Sequence, residues 1–381
     1  MKILIAPDSF KGSLTAPEAA RIIEAAAIRV LGCETIVVPV ADGGEGTLEV
    51  IVDSAGGETV GARVTNPLGG AIDAEYGLID DGATAVVEMA RASGLGCVDR
   101  LDPIVASSRG TGELIAHARS RGARRFLIAI GGSATNDGGM GMLSALGARF
   151  YDDGGRLLAG SGGDLEAVAC ADLTDLAKHD LTVICDVNNP LTGETGATHV
   201  YAAQKGADAA MRARLERGMR NYESVLRGAG CPSGDFPGAG AAGGAGYALI
   251  GVMGAHREIG IDAVLDAVRF DALLDGVDLV VTGEGKLDGQ SVQYGKAPTG
   301  IARRCGARGI PVVALAGGLG EGAHAYLDLP HTAMMPIIDA PRTLESAIAH
   351  AAQLLESAAE RLFYTIKIGI YMQARIAGND E

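Results

Sequence analysis

The sequence predicts an α/β protein in two domains with largely parallel sheets, and three observations predict it. Short apolar, β-branched runs recur, each passing into a polar glycine-rich loop and then a helical pattern. At 381 residues the chain exceeds one typical core and fits two. Between Thr59 and Ala90 the pattern changes to apolar–polar alternation around turn signals, which marks antiparallel hairpins.

The elements follow in order. Lys2–Ala6 is the first strand and leads into Pro7-Asp8-Ser9-Phe10-Lys11-Gly12-Ser13. Thr15-Ala16-Pro17-Glu18 opens a helix as a capping box with an early proline, and Ile22, Ile23, Ala26 and Val30 form its apolar stripe. Thr35–Val40 runs into Ala41-Asp42-Gly43-Gly44-Glu45-Gly46. The hairpins turn at Asn66-Pro67, Gly69-Gly70 and Asp80-Asp81-Gly82. Phe126–Ile130 leads into the long polar loop Gly131–Gly139, and Leu181–Cys185 into Asp186-Val187-Asn188-Asn189-Pro190. Leu279–Thr282 leads into Gly283-Glu284-Gly285-Lys286-Leu287-Asp288, and Val312–Ala316 into Gly317-Gly318. Leu344, Ile348, Ala351, Leu354, Leu355, Ala358 and Leu362 give one long amphipathic helix near the C-terminus. The change of pattern places a domain switch near residue 60 and a return near 265. One domain is then 1–60 plus 265–381, and 61–264 is a mixed-sheet domain inserted into it.

Composition narrows the function. A net charge of −15 with scattered Lys and Arg argues against nucleic acid or an anionic membrane as partner. Cys33, Cys97, Cys170, Cys185, Cys231 and Cys305 lie far apart without a Cys-x-x-Cys, so reduced thiols are expected in a cytoplasmic protein. The N-terminal apolar run is too short for a signal peptide, and glycines interrupt Ala241–Ala255, itself shorter than the ~20 residues of a membrane span. No Walker A, zincin or nucleophile-elbow motif occurs. Gly238–Gly243 matches G-x-G-x-x-G, but Cys231–Pro237 precedes it in place of a strand. It reads as a flexible loop entering a helix over Tyr247–Val252, which leaves a dinucleotide-dependent oxidoreductase unsupported. The seven histidines fall outside the candidate loops.

In open parallel sheets, ligands sit outside the carboxyl ends of the strands. There this sequence places Asp8, Ser9, Lys11, Asp42, Glu45, Ser133, Thr135, Asn136, Asp137, Asp186, Glu284, Lys286 and Asp288. Carboxylates bind Mg²⁺ and deprotonate hydroxyls, while lysines and helix N-termini neutralise phosphate. Phosphoryl transfer uses all of these groups together. Taken singly they are less decisive. Lys11-Gly12-Ser13 reads equally as an anion site or a capping loop, and Asp42 with Glu45 as caps or as ligands for hydroxyls or Mg²⁺. The 131–139 loop is more polar than a tight turn requires and favours a ligand. Asp186 fits either an Asx turn or a general base, and the 283–288 loop stays evenly balanced.

Seven segments raise the specificity: Ile5–Ala16, Pro39–Thr47, Arg109–Ile115, Gly131–Leu143, Cys185–Gly193, Gly240–Leu249 and Thr282–Ser291. Together, in this order and across almost the whole chain, they resemble the glycerate kinase family that acts on D-glycerate. The resemblance implies transfer of the γ-phosphate of ATP to a glycerate hydroxyl, with Mg²⁺ and with 2-phosphoglycerate favoured over 3-phosphoglycerate. It also implies a flavodoxin-like domain carrying the insertion, with the site in the cleft between the two. Carried onto matching positions, Asp186 and Lys11 become catalytic. Asp8, Ser9, Asp42, Ser133, Thr135 and Asn136 become substrate-binding; Gly131, Gly132, Asp137, Glu284 and Lys286 nucleotide-binding; Asp288 a metal ligand. The stretch from Asp288 to Lys296 is one residue longer than in that family, so no role is carried onto Lys296. The expected partners are D-glycerate and ATP, with a homodimer left open. A kinase of another short hydroxy acid or polyol is the alternative.

Overall fold

Each apolar run that leads into a candidate loop becomes a strand in the computed structural model, which describes residues 1–41, 43–44, 46–293 and 295–377. The chain divides into two compact units, Met1–Asp42 with Ile261–Glu381, and Gly43–Gly260. The first unit opens with β1 (Lys2–Pro7) and β2 (Glu34–Val37). The second holds β3 (Glu58–Thr65), β4 (Ala71–Ile79), β5 (Thr84–Glu88), β6 (Arg125–Ala129), β7 (Arg149–Tyr151), β8 (Cys170–Asp172), β9 (Asp180–Ile184) and β10 (His256–Glu258). The chain returns to the first unit with β11 (Leu279–Glu284), β12 (Val312–Ala316) and β13 (Thr332–Pro336).

In the first unit the strands lie in the order β13-β12-β11-β1-β2, and every neighbouring pair is parallel. Counted within the unit and read from the β2 edge, this is the 2-1-3-4-5 order of flavodoxin-like sheets. The strand order reverses between β1 and β11, so the crevice outside their carboxyl ends is the topological switch point. The core beside β1 joins Ile3 and Ile5 to Ala19, Ile23 and Ala27 of the Ala16–Leu31 helix and to Leu355 and Phe363 of the Ala351–Ala377 helix. Burying a side chain such as Ile5 or Phe363 fully contributes about 1.5–3 kcal/mol each. The capping box forms as read: Thr15 Oγ1 accepts from Glu18 N, and a Glu18 carboxylate oxygen accepts from Thr15 N at 2.9 Å. The expected C-terminal helix divides at His350 into Leu344–Ala349 and Ala351–Ala377.

The second unit has a mixed sheet in the order β10-β9-β6-β5-β4-β3. β3–β4 and β4–β5 are antiparallel, and β5–β6, β6–β9 and β9–β10 are parallel. Asn66 Oδ1 closes the first hairpin by accepting from Leu68 N and Gly70 N, each at 2.9 Å. Asp80 and Asp81 take left-handed φ of 53° and 55° in the second, the geometry that matches strand twist. The break between units falls at 42/43, ahead of the hairpins, and the cause is visible at Gly77. A β-carbon there would meet Val52 Cγ2 at 2.2 Å, so glycine lets the Thr47–Ala55 helix lie against β4. Among the described residues no helix is long and apolar enough to cross a membrane, and all six cysteines are free thiols.

Candidate active site

In the first unit, the loops after β1, β11 and β12 are packed as one cluster. Asp8 N donates to Gly283 O at 2.9 Å, which sets Asp8 beside the end of β11 where Glu284 lies, only 6% exposed. Phe10, 2% exposed, anchors the first loop, with Leu14 N and Ser13 N both donating to Phe10 O. That anchoring turns the next residue, Lys11, outward, and Lys11 is exposed. A β-carbon on Gly285 would stand 3.0 Å from Lys11 N, and one on Gly317 only 2.3 Å from Gly285 O. These glycines permit backbone-to-backbone contact among the three loops. Ser9 N donates to Asp8 Oδ1 at 2.6 Å. Asp288 is engaged on both oxygens: Oδ2 lies 2.9 Å from Lys286 Nζ, and Oδ1 accepts from Gln290 N at 3.0 Å and Ser291 N at 3.2 Å. The Lys286 hydrogen bond holds the Asp288 carboxyl below the usual carboxylate range.

In the second unit, register brings two further loops side by side. Ala129 on β6 pairs with Ile184 on β9, so Gly131 and Asp186 leave neighbouring strand ends. Gly43, at φ +90°, would press a β-carbon to 2.3 Å from Ile184 Cγ2, and its carbonyl lies against Gly131. The Gly43–Gly44 backbone therefore joins the same edge. Asp42 and Glu45 lie outside the described residues. Asp186 is half-buried and its Oδ1 accepts from Gly260 N at 2.7 Å. The loop after β6 is braced along its length. Ala134 N donates to Ser93 O at 2.9 Å, and Leu95 N donates to Gly132 O at 3.0 Å.

Side chains of that loop divide sharply in exposure. Gly131 and Gly132 are exposed and Ser133 keeps 5%, whereas Thr135, Asn136 and Asp137 are at 0%. The Asp137 carboxylate accepts from Ser108 N, Ser108 Oγ, Gly139 N and Gly141 N at 2.7–3.2 Å. Burial pushes its pKa up, opposed by these donors. All four partners donate, which is the pattern an ionised carboxylate satisfies. Asn136 Nδ2 donates to Thr198 Oγ1 at 3.1 Å, while Asn136 Oδ1 and Thr135 Oγ1 have no hydrogen-bond partner among the described residues.

Two basic residues that the sequence reading passed over hold these loops. Lys205, 2% exposed, donates from Nζ to Ser133 Oγ at 2.8 Å and to Thr135 O at 2.7 Å. Burial lowers its pKa to about 7, with the Asp137 charge opposing the shift. Arg257 on β10 wraps the turn that carries Asp186. Its Nε donates to Cys185 O at 3.1 Å, and its Nη2 to Val187 O at 3.1 Å and Asn188 Oδ1 at 2.8 Å. Neither sits in a motif; the sole hint is that lysine is scarce in this chain, at 7 residues against 25 arginines.

The G-x-G-x-x-G match has a packing role. Ala242, Gly243 and Gly244 take left-handed φ of 53°, 68° and 92° in succession, and Gly243 O accepts from Gly138 N at 3.0 Å. The stretch expected to be flexible, Gly238–Gly243, is buried apart from the half-buried Ala242, and it underpins the 131–139 loop. In Arg109–Ile115, Gly112 likewise serves contact: a β-carbon would lie 2.4 Å from Met142 O.

The family model described as "Glycerate kinase family" matches residues 3–367. The chain belongs to the glycerate kinase family. It is an enzyme, a kinase. The glycerate kinase of Bacillus subtilis (strain 168) is 44% identical over 376 residues, which covers 97% of this chain and 98% of that one. The glycerate 2-kinase of Escherichia coli (strain K12) is 40% identical over 378 residues, covering 97% and 99%. A crystal structure described as a glycerate kinase 2 from Salmonella typhimurium LT2 superposes with a TM-score of 0.87 at 41% identity, covering 97% of this chain and 99% of that one. This kinase thus shares both sequence and architecture with its relatives over nearly the full length.

Proposed function

We propose that this kinase transfers the γ-phosphoryl group of ATP to a hydroxyl of D-glycerate, giving 2-phosphoglycerate. One observation carries the reading: in each unit the motif-bearing loops emerge together from the carboxyl ends of parallel strands. The E. coli relative's name, glycerate 2-kinase, favours the 2-product.

Asp186 takes the proton of the attacking hydroxyl. A carboxylate at the end of β9, steadied by Gly260 N at 2.7 Å and by the turn that Arg257 grips, has the fixed aim a general base needs. Lys11 and the N–H groups of the loop after β1 neutralise phosphate oxygens, and Asp8, Ser9 and Asp42 orient glycerate. Gly131, Gly132 and Ser133 form the contacting rim of the 131–137 loop. Thr135, Asn136 and Asp137 act beneath that rim, and Glu284 with Lys286 lies on the nucleotide side. Mg²⁺, when bound, supplies charge neutralisation to the triphosphate. Among the described residues no group of three potential ligands is gathered, and both Asp288 oxygens are engaged, so Asp288 alone is a poor fit for the ion. The composition fits a cytoplasmic enzyme.

The test is phosphorus NMR of the product formed from ATP and D-glycerate. A 2-phosphomonoester that appears only when both substrates are present supports the reading. A 3-phosphomonoester overturns the regiochemistry, and ATP turnover on other hydroxy acids but not on glycerate overturns the substrate.

A further inference from the structure

Lysine carries three N–H donors and, when charged, no acceptor. Lys205 ends the short Ala203–Lys205 turn between the Ala197–Tyr201 and Ala209–Gly228 helices, 2% exposed, and directs Nζ at the loop after β6. Its contacts are Ser133 Oγ at 2.8 Å and Thr135 O at 2.7 Å. The hydroxyl of Ser133 must therefore accept from the ammonium, and its own hydrogen must point elsewhere. No bond donated by that hydroxyl is found among the described residues. Ser133 is also the one side chain of the 133–137 stretch, apart from Ala134, that keeps any exposure, at 5%, next to the exposed Gly131 and Gly132.

From this geometry we propose that Lys205 is a positioning residue that presets Ser133 as a hydrogen-bond donor to an anionic oxygen of the ligand, either a carboxylate or a phosphate. The proposal rests on the kinase reading above and deepens it. A serine without this brace spends its hydrogen on any nearby acceptor. A serine held by an ammonium from below keeps that hydrogen for the rim. The charge arrangement supports the assignment: Asp137, fully buried in the same loop, offsets Lys205, so the braced loop carries no excess negative charge toward an anion. The bond to Thr135 O fixes the loop backbone two residues on, so the donor's position as well as its direction is set.

The experiment is a double-mutant cycle in the full chain: Ser133→Ala, Lys205→Met and both together, with kcat and KM measured separately for D-glycerate and ATP below pH 7. Loss of a hydrogen bond to a charged group should raise one KM by about 10- to 100-fold. Lys205→Met should raise the same KM to a similar degree, and adding it to Ser133→Ala should change that KM by less than about threefold. A shift confined to the glycerate KM assigns the carboxylate; one confined to the ATP KM assigns a phosphate. If the Lys205→Met effect persists undiminished in the Ser133→Ala background, or only the melting temperature moves, Lys205 is structural and the proposal fails. Should Lys205→Met not fold, Lys205→Gln enters the same cycle, because it removes the ammonium while keeping a polar side chain in the buried position. A KM raised only while Ser133 is present supports the proposal; one raised regardless of Ser133, or unchanged in both backgrounds, overturns it. A wild-type enzyme inactive on D-glycerate and ATP would instead sink the proposed reaction, and the cycle would then be read from equilibrium binding of ATP and D-glycerate.

Discussion

Gly243 and Ala242 are neighbours in one left-handed stretch, and their exchange for each other's residue type should act in opposite directions. At Gly243, φ is +68° and an added β-carbon would stand 2.1 Å from Thr135 O and 2.8 Å from Asn136 Cα. Both are backbone atoms and cannot swing aside. Left-handed geometry costs an alanine about 1–2 kcal/mol, overpacking adds about 1–3 kcal/mol, and reduced freedom of the unfolded chain returns about 0.4–1 kcal/mol. Gly243→Ala should therefore destabilise the second unit by about 2–4 kcal/mol. Ala242 already holds φ 53° with its methyl accommodated, so Ala242→Gly removes the strain term alone. After the unfolded-state term, it should lie within about 1 kcal/mol of wild type, on the stabilising side. The chain has no tryptophan, so urea unfolding followed by circular dichroism is the assay. Thr135 O is also an acceptor for Lys205, so Gly243→Ala should weaken ligand use as well. A Gly243→Ala midpoint indistinguishable from wild type, or an equal loss from Ala242→Gly, would show that this stretch does not underpin the 131–139 loop.

If Asp186 is the base, Asp186→Asn should lower kcat by roughly 10²–10⁴ with the urea midpoint little changed; near-normal turnover would remove it from that role. Arg257→Met frees the turn that carries Asp186, and a misplacement of about 1 Å is worth roughly 10²-fold in rate. Its kcat should fall well ahead of any change in the ATP KM, and a variant defective only in stability would make Arg257 a plain clamp. For Lys205, the folded pKa near 7 lies below the unfolded value near 10.5, so above pH 7 the unfolded chain holds the extra proton and stability rises with pH. Between pH 7 and 8.5 the gain should be about 1.5 kcal/mol and absent in Lys205→Met, as read from urea midpoints. Buried Cys305, pushed up to about 12, opposes the trend only once unfolded thiols begin to titrate.

Much of the fold was legible because the relevant signals are local. The β-branched runs at Lys2–Ala6, Leu279–Thr282 and Val312–Ala316 needed no partner to be read as buried strands, and Thr15 with Glu18 announces a helix start within four residues. The turn residues Asn66 and Asp80 likewise act on their own backbone neighbourhood. What stayed hidden depends on long-range contact. Nothing in Thr47–Ala55 tells which sheet that helix joins; Gly77, on β4, decides it by leaving room for Val52. A glycine that frees the backbone and a glycine that admits another backbone look alike in sequence, which is why Gly238–Gly243 read as flexible although it is packed.

The same distinction separates the legible part of the site from the rest. Acids and hydroxyls after strand ends were visible because the sheet topology alone dictates where they emerge. The sources of positive charge were harder, because a cation's effect depends on what neutralises it. Lys286 lies 2.9 Å from Asp288, and Lys205 is offset by Asp137. Within the candidate loops, Lys11 forms no ion pair among the described residues and is exposed. A chain carrying −15 must therefore attract its anionic substrates with few uncompensated charges, and the glycine-rich loops explain how. Backbone N–H groups bring positive potential without a carboxylate beside them, and glycine lets backbone come close at the strand ends, at Gly43 beside Ile184 and at Gly285 beside Lys11 N. Heavy glycine usage in an acidic kinase is on this account an electrostatic solution as much as a conformational one.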